Sequence, residues 1–130
     1  MKTVLLTVRV VMGVIFVVMG LNGFFGFISF PEKSPEAQEF LEALAKTEYF
    51  WPFEKICEIL FGGLLLINRL VVLAIKGLAP IIANILLFHF FLDPPGIYLA
   101  LVVLVCEAVL VAGYWKRIFA EYFALVREND

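Results

Sequence analysis

Polar material is what this sequence lacks. Of 130 residues, 17% are Asp, Glu, Lys or Arg and 63% are hydrophobic, with a mean hydropathy of +1.00. A soluble domain of this size needs a polar shell, and too few polar side chains are present to build one. Positive charge is scarce as well: 10 basic against 12 acidic residues leave a formal net charge of −2. That excludes a nucleic-acid partner, because phosphate binding draws on a clustered basic surface. There is one histidine, His89, and there are two cysteines, Cys57 and Cys106. No CxxC spacing occurs, so neither a zinc site nor a paired-cysteine redox centre is expected. A single histidine also rules out a bis-His haem within one chain. No metal site is expected.

What is present is apolar residues in long runs, the pattern of helices that cross a bilayer. The length predicts a single membrane domain, residues 1–130. Four spans are predicted, over about residues 4–29, 50–68, 70–92 and 97–115. The expected fold is therefore an all-α integral membrane four-helix bundle in contact with lipid. The run from Val10 to Phe30 is too long for a signal-peptide core, and no A-x-A site follows it. A retained first span is expected. Gly13 and Gly20 lie two turns apart on one face of that span, with Gly23 and Gly26 beyond. Small residues let a neighbouring helix approach closely in lipid, where packing drives association.

Between the first two spans the pattern changes. Pro31 breaks the helix, and Ser34-Pro35 reads as an N-cap followed by the first helical residue. Ala37, Phe40, Leu41 and Leu44 then recur at helical spacing, with Glu36, Glu39, Glu42 and Lys46 on the other faces. This is a short amphipathic helix facing outward, lying on the membrane or capping the bundle. Tyr49, Phe50 and Trp51 form an aromatic belt at re-entry, and Pro52 suits a first helical turn. Asn68-Arg69 is a tight polar turn, and Pro80 interrupts the third span. Asp93-Pro94-Pro95-Gly96 is a turn. Residues 118–127 continue as an interfacial helix after Lys116-Arg117 close the fourth span.

Four spans sort the charges. Lys2, Arg9, Arg69, Lys76, Lys116, Arg117 and Arg127 fall at one face. Glu32, Glu36, Glu39, Glu42, Glu48 and Asp93 fall at the other, against Lys33, Lys46 and Lys55. Both termini are then expected in the cytoplasm.

Polar side chains within the spans are costly in hydrocarbon, and each is a candidate for function. Asn22, Glu54, Glu58, Asn84, His89 and Glu107 all fall in the outer half or near the midplane, at a rise of about 1.5 Å per residue. Facing inward, they would line one outward-opening pocket, with Glu58 and His89 near the mouth and Glu107 at the floor. Glu58 and His89 are the candidate catalytic pair; Asn22, Asn84 and Glu107 are candidate ligand-binding residues. A neutral carboxyl donates one hydrogen bond and accepts another, so Glu58 beside the His89 imidazole could pass a proton to or from a quinone oxygen. Asn84 and His89, five residues apart, face one pocket only if they flank it. Phe24, Phe25, Phe61, Phe88 and Phe90 are candidate walls. Glu54, beside Lys55, reads as solvated at the interface. Cys57 and Cys106 read as small packing residues rather than a redox pair. The same polar groups could instead join helices by hydrogen bonds, or move protons or ions.

The order of motifs resembles the DoxX and DoxX-like family of small four-helix membrane proteins. The resemblance rests on Gly20-Leu21-Asn22-Gly23, on Trp51-Pro52 leading into Glu58-Ile59-Leu60-Phe61-Gly62-Gly63, and on Asn68-Arg69. Leu78-Ala79-Pro80, Asn84-Ile85-Leu86-Leu87-Phe88-His89 and the Pro-Gly turn extend it. It implies a membrane bundle and, through relatives named for thiosulfate:quinone oxidoreductase, a quinone-linked redox subunit beside a soluble partner, in a plasma membrane of bacterial type. Glu58, Asn84 and His89 are the site residues it carries over. Two other readings stand beside it. One is a small transporter subunit, disfavoured because the first span holds Arg9 and no acid. The other is a structural or assembly protein without chemistry, acting through a protein partner or a homo-oligomer.

Overall fold

The computed structural model describes residues 1–129, which are helical almost throughout. The order is α1 (Lys2–Phe25), α2 (Pro35–Ala45), α3 (Phe50–Leu66), α4 (Val71–Phe91), one 3-10 turn (Pro94–Gly96), α5 (Ile97–Gly113) and α6 (Trp115–Glu128). Three stretches are long and apolar enough to cross a membrane: Lys2–Phe25, Val71–Phe91 and Pro94–Gly113. Large apolar side chains such as Leu73, Leu87, Phe90 and Val105 point outward and are more than half exposed. A surface of this kind is satisfied by lipid and not by water. The chain is an integral membrane protein.

The glycines fix how α1 meets α3. A Cβ on Gly62 would sit 3.0 Å from the Gly13 carbonyl oxygen, and one on Gly20 would sit 3.1 Å from the Lys55 carbonyl oxygen. Residue 13 therefore opposes 62 while residue 20 opposes 55, so the two helices run antiparallel with their backbones nearly touching. Gly113 meets Leu5 in the same sense, which sets α5 antiparallel to α1. α1 packs on α3 and α5, and α4 packs on the same two helices, so the four form a ring. The starts of α1 and α6 lie at one end of it, here called proximal. The proximal half is filled by Met12, Leu65, Ala74, Ile75, Leu78, Cys106 and Leu110.

α1 is shorter than the expected span, which ran to residue 29. Gly26 adopts a left-handed conformation, φ 62°, and returns its N–H to the Asn22 carbonyl at 2.8 Å. The Asn22 side chain then accepts from the Ile28 N–H at 2.6 Å and donates to its carbonyl at 3.3 Å. Glycine takes that conformation without steric cost. α3 stops at Leu66, and Asn68 and Leu70 (φ 56° and 49°) make the turn into α4. α6 begins at Trp115, ahead of the expected 118, so Lys116 and Arg117 open that helix. It is tied to α4 by a 2.7 Å ion pair between Lys76 and Glu121.

α2 forms as its cap predicts. Ser34 Oγ accepts from the Ala37 N–H at 3.2 Å, and Pro35 occupies the first turn. The same hydroxyl donates to the Leu92 carbonyl at 2.7 Å. One side chain thus starts the helix and fastens it over the distal end, where Phe40 stacks on Phe88 at 5.7 Å. Ser34→Ala removes both bonds. It is expected to cost about 1 kcal/mol, read as faster amide exchange across residues 34–45 with the other helices unchanged.

Candidate functional site

In the distal half the ring of α1, α3, α4 and α5 encloses a cavity of about 610 Å³, covered by α2. Its volume lies in the range of small-molecule sites, roughly 300–1,000 Å³. Ile15, Phe16 and Met19 of α1 and Leu99, Ala100 and Val103 of α5 give two apolar walls. Phe40, Leu41 and Leu44 come from α2, and Phe30, Phe50 and Trp51 complete an aromatic rim. Polar groups gather on the two remaining walls.

On α3 the polar group is a triad. Lys55 Nζ lies 3.4 Å from both Glu58 oxygens, 3.9 Å from Glu54 Oε2, and 5.0 Å from the Trp51 ring centre. The spacing is that of one helix face, at i, i+3 and i, i+4. Glu58 is buried at 3% exposure. It is the deepest cavity-lining residue of α3, not a group at the mouth as its position suggested. Glu54 Oε2 is buried and has no hydrogen-bond partner among the described residues. Glu54 therefore belongs to the cavity, contrary to the solvated reading. The ammonium of Lys55 lies over the Trp51 ring while it pairs with both carboxylates.

On α4 the polar group is built across a turn. His89 Nδ1 lies 3.1 Å from Asp93 Oδ2 and 3.2 Å from the Asp93 carbonyl oxygen. Lys33 Nζ reaches the same carboxylate at 3.4 Å from the segment before α2. A Cβ on Gly96 would fall 2.6 Å from both Asp93 Oδ2 and His89 Cε1. The Pro94–Gly96 turn therefore closes tightly against the pair, and a side chain at Gly96 would push the His89 and Asp93 side chains aside. Asn84 and His89 both line the cavity, together with Ile85 and Phe88. Four positions spread around α4 form a broad wall that the two polar residues flank, which removes the need for a distorted helix.

Two expected ligand contacts are placed otherwise. Asn22 lines the cavity, but its amide is spent in both directions on Ile28. Glu107 is buried at 7% exposure but does not line the cavity. It falls one turn past Val103, on the proximal side, and neither oxygen has a hydrogen-bond partner among the described residues. The floor is made by Phe16 and Val103 instead. Of the five phenylalanines expected as walls, Phe88 alone contributes. Phe24, Phe25 and Phe90 are exposed toward lipid, and Phe61 packs on Gly77. Cys57 is half-buried, Cys106 is buried in the core, and both are free thiols.

Lys33, Lys55 and Asp93 were not among the expected site residues. The spacing of His89 and Asp93 at i, i+4 was a visible signal, as was Lys55 three residues before Glu58. No comparable signal pointed to Lys33.

Comparison with known proteins adds one match. The family model described as DoxX covers residues 4–92. That range takes in Asn22, Glu54, Glu58, Asn84 and His89 and ends at the close of α4. No curated protein and no solved structure matches the chain.

Proposed function

This chain belongs to the DoxX family, and we infer that it is a quinone-linked oxidoreductase subunit whose ligand enters the distal cavity. The observation that carries this reading is an apolar-walled cavity of about 610 Å³ whose buried ionisable groups gather on the α3 and α4 walls. A lipid-soluble quinone has the matching shape, an apolar ring and tail with two polar oxygens. Phe16, Phe40, Phe88 and Trp51 would hold the ring and exclude water; Glu58 and His89 would hold and pass protons at its oxygens, with the Asn84 amide orienting it. The quinone supplies proton-coupled two-electron carriage. With no paired-cysteine centre of its own, the subunit takes its electrons from a partner protein.

The reading takes α3 as a fourth crossing. Its 17 residues reach about 26 Å at 1.5 Å each, near the lower limit for a span. Tyr49, Phe50 and Trp51 sit at one end and Asn68-Arg69 at the other. Lys2, Arg69, Lys76, Lys116 and Arg117 then share the proximal face, and this bias supports cytoplasmic termini in a bacterial-type plasma membrane. The alternative of helix-joining polar residues draws support from Asn22, whose amide is used within its own chain.

Titration of the purified protein in detergent with a quinone kept in its reduced, hydroxyl-bearing form tests the reading. Wild type is expected to bind saturably, and Glu58→Gln and His89→Ala to weaken binding about tenfold or more, the worth of one buried hydrogen bond, with unchanged melting. Binding that is absent from wild type, or equal in all three proteins, would overturn it.

A further inference from the structure

The two polar walls differ in what they leave unused, and the difference concerns hydrogen-bond direction. His89 Nδ1 faces two oxygens, Asp93 Oδ2 at 3.1 Å and the Asp93 carbonyl at 3.2 Å. A peptide carbonyl only accepts, so Nδ1 carries the proton in the neutral ring. Nε2 is then the unprotonated nitrogen, and it has no hydrogen-bond partner among the described residues. On α3, Glu54 Oε2 is a second acceptor without a donor. The two lysines nearby are committed. Lys55 is held by Glu58 and the Trp51 face, and Lys33 by Asp93 and the faces of Phe30 and Phe88. The Asn84 amide both donates and accepts, and so does not discriminate. Donors remain elsewhere in the lining, the Trp51 indole N–H and the Tyr98 hydroxyl; what the His89 wall has spare is an acceptor.

Taking the distal cavity as the ligand site, as proposed above, we propose that its His89 wall selects a ring hydroxyl over a carbonyl oxygen, and so takes the reduced, hydroxyl-bearing end of an aromatic ligand. His89 Nε2 is the acceptor for a ring hydroxyl, and Asp93 is the positioning residue that fixes the tautomer. A carbonyl oxygen placed against Nε2 or Glu54 Oε2 would set acceptor against acceptor, and leaving a buried acceptor unpaired is costly. Gly96 holds the arrangement by closing on Nδ1 and Asp93 without a side chain of its own.

Redox-inert probes separate hydrogen-bond direction from electron transfer. An alkylphenol and its O-methyl ether share ring and tail, but only the phenol can donate. Quenching of Trp51, which lines the cavity, reports binding in a Trp115→Phe background. The phenol is expected to bind about tenfold tighter than the ether, the worth of one satisfied buried hydrogen bond. That ratio should fall toward one in His89→Phe, which keeps an aromatic ring but no acceptor. His89 is the only histidine in the chain, so ¹⁵N labelling of histidine gives a single imidazole. Its neutral form is expected to show a protonated Nδ1 and a bare Nε2, and to keep that pattern in Asp93→Asn, whose main-chain carbonyl still accepts from Nδ1. Equal binding of phenol and ether, or a proton on Nε2, would overturn the selectivity and leave the cavity as a ligand site. Binding of neither probe would overturn the cavity as a ligand site, and the selectivity with it.

Discussion

Gly62→Val is expected to destabilise the protein by about 3 kcal/mol, at the upper end of the cost of overpacking a filled interface. The reason is the kind of atom the new side chain would meet. A Cβ at Gly62 lies 3.0 Å from the Gly13 carbonyl oxygen and 3.0 Å from the Val17 amide nitrogen, both main-chain atoms of α1. A side chain in the way can turn aside; a helix backbone cannot, so α1 as a whole would have to move. In lipid, where apolar surface gains nothing by leaving the solvent, close backbone approach is a main source of helix affinity. Gly63 supplies the control. A Cβ there meets nothing within 4 Å, so Gly63→Ala should leave stability unchanged or raise it slightly through helix propensity. Thermal melting of both variants in detergent decides the matter. Equal melting of Gly62→Val and wild type would mean that α1 and α3 do not meet through these glycines.

Arg9→Met is expected to cost about 2 kcal/mol, within the range for a buried hydrogen bond to a charged group. Arg9 is buried at 7% exposure, and its guanidinium donates to the Leu65 carbonyl, in the last turn of α3. Helix C-terminal carbonyls lack partners within the helix and favour positive charge. The other bond to that carbonyl comes from the Asn68 N–H at 3.4 Å, so loss of Arg9 leaves it weakly held. Arg9→Lys keeps the charge but loses the planar fork, and should recover only part of the loss. Urea titration of the variants, followed by helicity, measures the difference. A Met variant as stable as wild type would mean that the cost of burying the cation cancels what it gives the helix end.

The fold was largely legible because its signals are local. Ser34-Pro35 announces α2, and the long apolar runs announce the spans. Span ends were less legible. Gly26 stopped α1 four residues before the apolar run ended, because a left-handed glycine and an Asn22 side chain override hydropathy. Depth along a helix could be counted, whereas direction around it could not. α5 is apolar on every side, so nothing in its sequence says which way Glu107 points, and it proved to face the core below the cavity floor. Asp93 was hidden by its own turn: Pro94-Pro95-Gly96 accounts for the bend so fully that the carboxylate beside it looked incidental. Arg9 read only as one of the basic residues of one membrane face, since its burial depends on where a helix over fifty residues later comes to an end.

The lengths of α1 and α3 carry one more consequence. The two lie side by side, yet α3 is seven residues shorter, 17 against 24, a difference of about 10 Å along the axis. With α3 as a crossing helix, the bilayer meets a tall flank on one side of the protein and a low one on the other. It answers by thinning beside α3 and by letting the bundle lean, each at a fraction of a kcal/mol per ångström. With that fourth crossing, such a molecule would respond to bilayer thickness by its outline alone. It should partition into the thinner regions of a mixed membrane and hold the lipids beside α3 compressed, whatever occupies its interior.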